Sequence, residues 1–402
     1  MTDRINMPGN EKKTSDHRLI EAVIEQWERC GYEGISARQL STLASAPSSS
    51  IYHHFGSVEQ LLALAQEHVI GLTSQWCNER IEHLADIPRD PRAFPAFFAA
   101  CIDDWARGER CLAFAWREGQ LLRARNPSGR ALQQQWERLW LDFWHAATAC
   151  FGLERGAGVA YRLFENESFL HMLNWRRSVD RAGLDEFARG AGAWLMGDAV
   201  PQSPWRDFAR AAALDALPTE PNHDSITAQI VAAAAALIAE VGPGGLTHRA
   251  VAASTGLTLG TVSHKIRTKT ELVQVGYGGL YINAVSRLRA QTSVLPSGRE
   301  TVVGIANFLA ENSGSRGIDA LHLAVARDPA LHQFGLQLRY LRGSTSRSLL
   351  QMLLPNRPSQ GHLEPALLSG FLSSLSRHYG DWTAEEARAP IRAELEDLMA
   401  LL

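Results

Sequence analysis

At 402 residues the chain is too long for one small domain and is expected to hold two or more. Its 45% apolar and 21% charged composition is that of an ordinary globular protein, and the polar start (Met1–Asp16) and the lack of about 18 consecutive uncharged apolar residues argue against a secretory signal and a membrane span. Five cysteines without a CxxC pair fit neither a disulfide framework nor a zinc ribbon, so a reduced, cytoplasmic compartment is expected; the net charge of −3 decides nothing about nucleic acid, because such footprints are local.

In chain order, the apolar spacing predicts a helix over Leu19–Arg29, a glycine-bearing stop at Cys30–Gly34, and a short helix opening at Ser36. A third follows over Ser48–His54, and a long amphipathic one over Ser57–Leu84, with Val58, Leu61, Leu62, Ala65, Val69, Leu72 and Trp76 on one face. Helical patterns continue through Phe94–Trp105, Cys111–Arg123, Arg130–Phe151, Glu154–Trp175 and Leu184–Met196. Pro201, Pro204, Pro218 and Pro221 then bracket one short helical run, Trp205–Leu217, and this stretch reads as a linker. Beyond it come Ile226–Glu240, a stop at Val241–Gly245, a short helix from Thr247, Thr258–Lys265, and a fourth helix over Thr268–Arg289. Thr301–Glu311, Ile318–Arg327, Ala330–Leu354, His362–Tyr379 and Glu385–Leu402 complete the chain. No useful period-2 run appears, so the expected fold class is all-α.

Sliding the chain on itself by 211 residues brings two segments into register without a gap. Gly31, Gly34, Arg38 and Leu61 fall on Gly242, Gly245, Arg249 and Leu272, and Ser57 falls on Thr268. Ser36-x-x-Gln39, Ser57-x-x-Gln60 and Thr268-x-x-Glu271 have capping-box spacing. Two short helices joined by a tight turn, the second polar and rich in small residues, make a helix-turn-helix pattern.

Ala44–Phe55 with Gly56-Ser57-Val58-Glu59 resembles the recognition-helix signature of the tetracycline-repressor (TetR) family. Thr255–Ile266 with Arg267-Thr268-Lys269-Thr270-Glu271 is similar to the same motif. The first departs from it at Ser45, Pro47 and Val58; the second keeps Gly256, Gly260 and Lys269 but has Ser263 and Ile266 where tyrosine and phenylalanine are usual. The resemblance implies two tandem units, each an N-terminal helix-turn-helix DNA-binding domain followed by a helical ligand-binding and dimerisation domain. They would form an intramolecular pseudo-dimer in a chain that acts as a monomer, with the last two long helices of each half making a four-helix interface. The expected divisions are 1–62 and 63–197 for the first head and its regulatory domain, 198–224 for the linker, and 225–273 and 274–402 for the second pair.

A recognition helix needs short polar residues in its first turn to reach base edges in the major groove. Ser48, Ser49 and Ser50 in one head, and Thr258, Gly260 and Thr261 in the other, satisfy this. Tyr52, His53, Ser263, His264 and Lys265 come in the next turn, where they reach phosphates or bases. Arg38 and Arg249 share one slot as candidate phosphate contacts, Ser57 and Thr268 open helices whose N–H groups suit a phosphate, and Lys269 adds a charge there. His17–Leu62 carries a net −2 with three histidines, whereas Ile226–Val273 carries +2. The second head is therefore expected to grip the DNA backbone harder, unless Arg4, Lys12 and Lys13 supplement the first. Two unlike heads imply an imperfect palindromic operator in double-stranded DNA.

The family resemblance also implies a small effector, apolar or aromatic, bound in the helical core. Trp105, Phe114, Trp116, Trp136, Trp140 and Phe143 are candidates to line its pocket, with His171 orienting a polar group, although Trp136, Trp140 and Trp144 form an i, i+4, i+8 stripe that equally suits a core. Gly276, Gly278 and Gly279 within Thr268–Arg289 suit either close helix packing or a bending element that answers the effector. No GxSxG, P-loop, HExxH or strand-borne GxGxxG occurs, so no enzyme, cofactor or metal site is expected. The reading is a transcription regulator that acts as a ligand-relieved repressor; its rival is a helical ligand- or protein-binding module whose heads have lost DNA binding.

Overall fold

Side-chain caps start many of the helices in the computed structural model. Ser36, Ser57, Thr247, Thr258, Thr268 and Thr383 each accept the amide of the residue three positions on, and Asp224 accepts those of Ile226 and Thr227. The structure describes residues 14–122, 127–216, 224–291, 299–311, 316–343, 346–355 and 361–402. The described residues contain helices and turns and no strand, so the fold is all-α.

The first head consists of α1 (Ser15–Arg29), α2 (Ala37–Leu43), α3 (Ser48–Phe55) and the long α4 (Val58–Glu82). α5 (Phe94–Asp103), α6 (Arg110–Leu122), α7 (Pro127–Phe151), α8 (Ala157–His171) and α9 (Arg177–Met196) follow. The connection carries α10 (Pro204–Asp215). α11 (Ser225–Gly245), α12 (His248–Thr255), α13 (Leu259–Lys265) and α14 (Lys269–Gln291) make the second head. α15 (Arg299–Glu311), α16 (Arg316–Arg327), α17 (Gly335–Tyr340), α18 (Ser346–Leu353), α19 (Leu363–Tyr379) and α20 (Ala384–Leu401) close the chain.

Several local features recur 211 residues apart. Gly31 and Gly242 both take a positive φ, 68° and 80°, where the chain leaves the first helix of each head. Arg18 Nε donates to the Ala44 carbonyl at 2.9 Å, and at the matching positions Gln229 Nε2 donates to the Thr255 carbonyl at 3.1 Å. Ile51 and Val262 are fully buried, and Leu61 and Leu272 likewise. The turn before each recognition helix needs one left-handed residue: Gly256 supplies it at φ 72°, and Ser45 adopts it at φ 47°.

α11 is apolar and long enough to cross a membrane by length and composition, with a mean hydropathy of 1.6. Here it is the first helix of the second head, and Ile230, Ala234, Ala235 and Ile238 are buried beneath it. α14 lies directly against it, because Gly276 and Gly279 let the two backbones approach.

α8 and α9 pack against α19 and α20, and α8 is buried from Ala157 to His171 apart from half-buried Gly158. Several of its polar residues meet partners from the second half. Arg162 grips Glu394 through two bonds of 2.7 and 2.8 Å, and Arg377 reaches back to Glu165 at 3.0 and 2.6 Å. Arg339 of α17 donates to the Leu173 and Asp180 carbonyls and to His171 Nδ1, the last at 2.6 Å. Arg327 at the end of α16 donates to the carbonyls of Trp27 and Glu28, in the last turn of α1, and pairs with Glu118. The first head is thus tied to the second half.

Three expectations are corrected. The 198–224 stretch is more than a linker: Glu186 accepts the amides of Trp205 and Arg206, and Ala209 and Ala213 of α10 pack with Val179, Leu336 and Tyr340. Ala330–Leu354 is not one helix; a 3-10 turn at Pro329–Phe334 precedes α17, and the chain turns at Gly343 before α18. Phe94–Trp105 ends early at Asp103, where a π turn, Asp104–Gly108, takes over and carries Trp105. Arg4, Lys12, Lys13, Arg123 and Leu217 lie outside the described residues.

Candidate nucleic-acid interface

Each recognition helix is amphipathic over only two turns. Ile51 and Phe55 anchor the underside of α3, and Val262 with Ile266 anchor that of α13. This burial turns the opposite face outward. On α3, Ser48, Ser49, Tyr52 and His53 are exposed, Tyr52 at 58%, and Ser50 is half-buried. On α13 the exposed set is Leu259, Gly260, Ser263, His264 and Lys265, with Thr261 half-buried. Gly260 leaves the backbone open at that face, since an added Cβ would meet only the Thr258 hydroxyl at 3.8 Å. Arg38 and Arg249 are both exposed in the first turn of the preceding helix. Most of the predicted polar residues of each head are therefore exposed.

The helix starts are less available than their spacing implies. Thr258 Oγ1 caps α13 and lies 2.9 Å from Thr261 Oγ1, so both hydroxyls begin engaged. At α14 a full capping box closes: Glu271 accepts the amides of Arg267 and Thr268 at 2.8 and 3.2 Å, and Thr268 accepts the Glu271 amide. A phosphate at this N-terminus would have to displace that carboxylate. Ser57 caps α4 through the Gln60 amide at 3.1 Å, with a neutral partner. Lys269 is the exposed first residue of α14, where the helix dipole disfavours a cation and a bound phosphate would offset that cost.

The end of each recognition helix is tied to the start of the head. His54 Nε2 lies 2.9 Å from Ser15 Oγ, and in the matching slot Lys265 Nζ lies 2.8 Å from Asp224 Oδ2. The sequence reading placed Lys265 on the DNA surface but missed Asp224. The signal was present, since an aspartate before an apolar helix is a cap, but its pairing with Lys265 is tertiary.

The aromatic residues offered as a ligand pocket form packed core instead. Trp105 and Trp140 meet edge to face at 5.0 Å, Trp116 lies 4.9 Å from Trp140 and 5.8 Å from Trp136, and Phe143 packs on Trp140 at 6.1 Å. These rings fill the space that a ligand would take. Phe114 stands apart, between the guanidinium groups of Arg110 and Arg327. A groove of about 450 Å³ runs elsewhere, between Tyr32, Ile35, Val58 and Leu62 of the first head and Val241, Gly244 and Gly245 of the second. A small polar cavity of about 30 Å³ lies beside Arg117 and Arg377. None of the seven predicted pocket residues lines either.

His171 is a satisfied core histidine. Arg339 donates to Nδ1, which puts the ring proton on Nε2, 2.8 Å from Asp103 Oδ1. Burial first, and then the adjacent Arg339 charge, push its pKa down to about 3, so the ring stays neutral. Asp103, held well below the usual carboxylate range against its own burial by His171 and Arg177, completes the set.

No curated protein matches the chain. One family does match, over part of the second head: the bacterial regulatory proteins of the tetR family, across residues 230–275. That segment runs from Ile230 in α11 through α12 and α13 into α14, and it holds Arg249, Thr258, Gly260, Thr261, Ser263, His264, Lys265, Thr268 and Lys269. Residues 230–275 therefore form a domain of the bacterial regulatory proteins, tetR family, which points to a DNA-binding regulator of transcription.

Proposed function

We propose that the chain is a cytoplasmic, sequence-specific repressor that reads an imperfect palindromic operator with two unlike heads of one polypeptide. The observation that carries this reading is the recognition helix α13 within the matched segment. It is anchored by Val262 and Ile266 and presents Gly260, Ser263, His264 and Lys265 outward. The first head is read as a second copy of the same domain. This is supported by the matching left-handed turn at Ser45, the matching caps, and the paired braces Arg18 to Ala44 and Gln229 to Thr255. The pseudo-dimer reading is supported by the packing of α8 and α9 on α19 and α20, and by the cross-half pairs of Arg162, Arg377 and Arg339.

Relief by an effector is the finer part of the proposal. Trp105, Trp116 and Trp140, like Trp27, Trp76 and Trp144, bury indole N–H groups that find no acceptor among the described residues. Buried indoles ordinarily have one. Because these rings are packed with no ligand-sized space between them, an uncharged aromatic effector bearing an acceptor is proposed only for an opened form of this core in which they have parted.

The test is selection of duplex DNA from a random pool by the full chain. The proposal expects an imperfect inverted repeat whose half-site centres lie about 10 bp, or a multiple of that, apart. Failure to enrich any sequence would favour the rival reading of a helical ligand- or protein-binding module.

A further inference from the structure

The end of the second recognition helix meets the start of its own head through an ion pair. Asp224 is the N-cap of α11; one carboxylate oxygen accepts the Ile226 and Thr227 amides, at 3.1 and 3.0 Å. The other accepts from the Thr227 hydroxyl at 2.9 Å and from Lys265 Nζ at 2.8 Å. Capping fixes the carboxylate, and the carboxylate then fixes where the ammonium sits. Lys265 is the last residue of α13, on the face turned outward, and its side chain keeps only 33% exposure beside Asp224. In the first head the matching residue, His54, meets the Ser15 hydroxyl, with the Asp16 carboxylate close enough to feel its charge, whereas in the second head the carboxylate itself holds the cation.

We propose that Asp224 is a positioning residue of the DNA-binding surface, one that holds Lys265 back from the phosphates and so moderates the sequence-independent grip of the second head. The inference rests on the reading of this head as DNA-binding. A phosphate that approaches the Lys265 ammonium also approaches the carboxylate, so contact either breaks the pair or brings two anions together. Exposed pairs of this kind are weak enough to be exchanged. Part of the lysine's charge is therefore already neutralised within the protein and releases no counterion from DNA.

The test measures anisotropy of a fluorescein-labelled random-sequence duplex with the full chain over a range of salt. Asp224→Asn keeps an N-cap side chain while removing the charge, and Asp224→Ser is a second cap-competent variant should the first disturb the helix. Either is expected to bind the duplex about two- to five-fold more tightly at about 100 mM salt. The slope of log K against log salt should steepen by up to about 0.9, the value for one added phosphate contact. In a Lys265→Ala background the same changes should do nothing. A gain that persists without Lys265 would show a general charge effect and overturn the proposal, as would unchanged affinity and slope. If the unaltered chain binds no duplex at all, the DNA-binding reading falls first and this inference with it. Binding that is normal but insensitive to Asp224 refutes this inference alone.

Discussion

The three glycines of α14 test whether that helix is a hinge or a close-packed strut, and the structure assigns each a sign. A methyl on Gly279 would stand 2.9 Å from Val231 Cγ1 and 3.2 Å from the Val231 carbonyl oxygen, and backbone cannot move aside cheaply. A methyl on Gly276 would stand 2.7 Å from Ile238 Cδ1 and 3.2 Å from Ala234 Cβ, with Ile238 itself buried. At Gly278 no atom lies within 4 Å. Each glycine-to-alanine change gains about 1 kcal/mol of helix preference. Overpacking costs about 1–3 kcal/mol. Gly278→Ala should therefore stabilise by about 1 kcal/mol, Gly279→Ala should destabilise by up to about 2 kcal/mol, and Gly276→Ala should fall between. Thermal unfolding of the single variants reads this directly, with shifts of about 2 °C per kcal/mol or less for a chain of this size. Stabilisation by alanine at Gly279 would refute the packing argument and restore a hinge that bends α14 away from α11.

Other consequences concern the turns, the junction and acid stability. Ser45→Gly relieves a left-handed serine and should stabilise by about 1 kcal/mol, while Gly256→Ala should cost about as much despite open space around it; equal thermal midpoints for both would refute the strain. Arg339→Met strips Asp180, His171 and the Leu173 carbonyl of their shared partner and should cost about 3–5 kcal/mol in urea unfolding; a loss under 1 kcal/mol, about noise for such a site, would mean that the network carries little. His171 and His322 are held neutral by burial and by arginines, with folded pKa values below 6.5. The unfolded chain takes up these protons and the folded chain refuses them. Stability is therefore present in full above pH 6.5 and falls on acidification, by up to about 1.4 kcal/mol per pH unit for each ring, for His171 down to about pH 3. His171→Gln should remove one proton from that slope in pH-dependent denaturation, and an unchanged slope would contradict the neutral assignment.

Much of the heads was legible because their determinants are local. Caps such as Ser36, Thr247 and Thr268 announce helix starts within three residues, and the 211-residue register predicted equivalences that extend to the braces from Arg18 and Gln229. What the pattern concealed depends on contacts far apart in sequence. Arg339 lies in a stretch whose spacing reads as one helix, yet the chain breaks on both sides of α17 and sends that guanidinium into the first half. Arg327 binding the end of α1 joins residues 300 positions apart. The tryptophan stripe admitted both a pocket and a core, and only the ring-on-ring packing of Trp105, Trp116 and Trp140 decided for core. The prolines around α10 suggested a bare connection, whereas Glu186 captures its first amides and docks it.

The most direct test of the account is the composition of its complex with selected DNA. Sedimentation of the complex, combined with hydroxyl-radical footprinting, gives the number of chains and the number of protected tracts together. The account predicts one chain of 402 residues on each operator and two protected tracts of unequal strength, with centres about 10 bp or a multiple of that apart. Two chains sharing one such site, or one chain protecting a single tract, would contradict it.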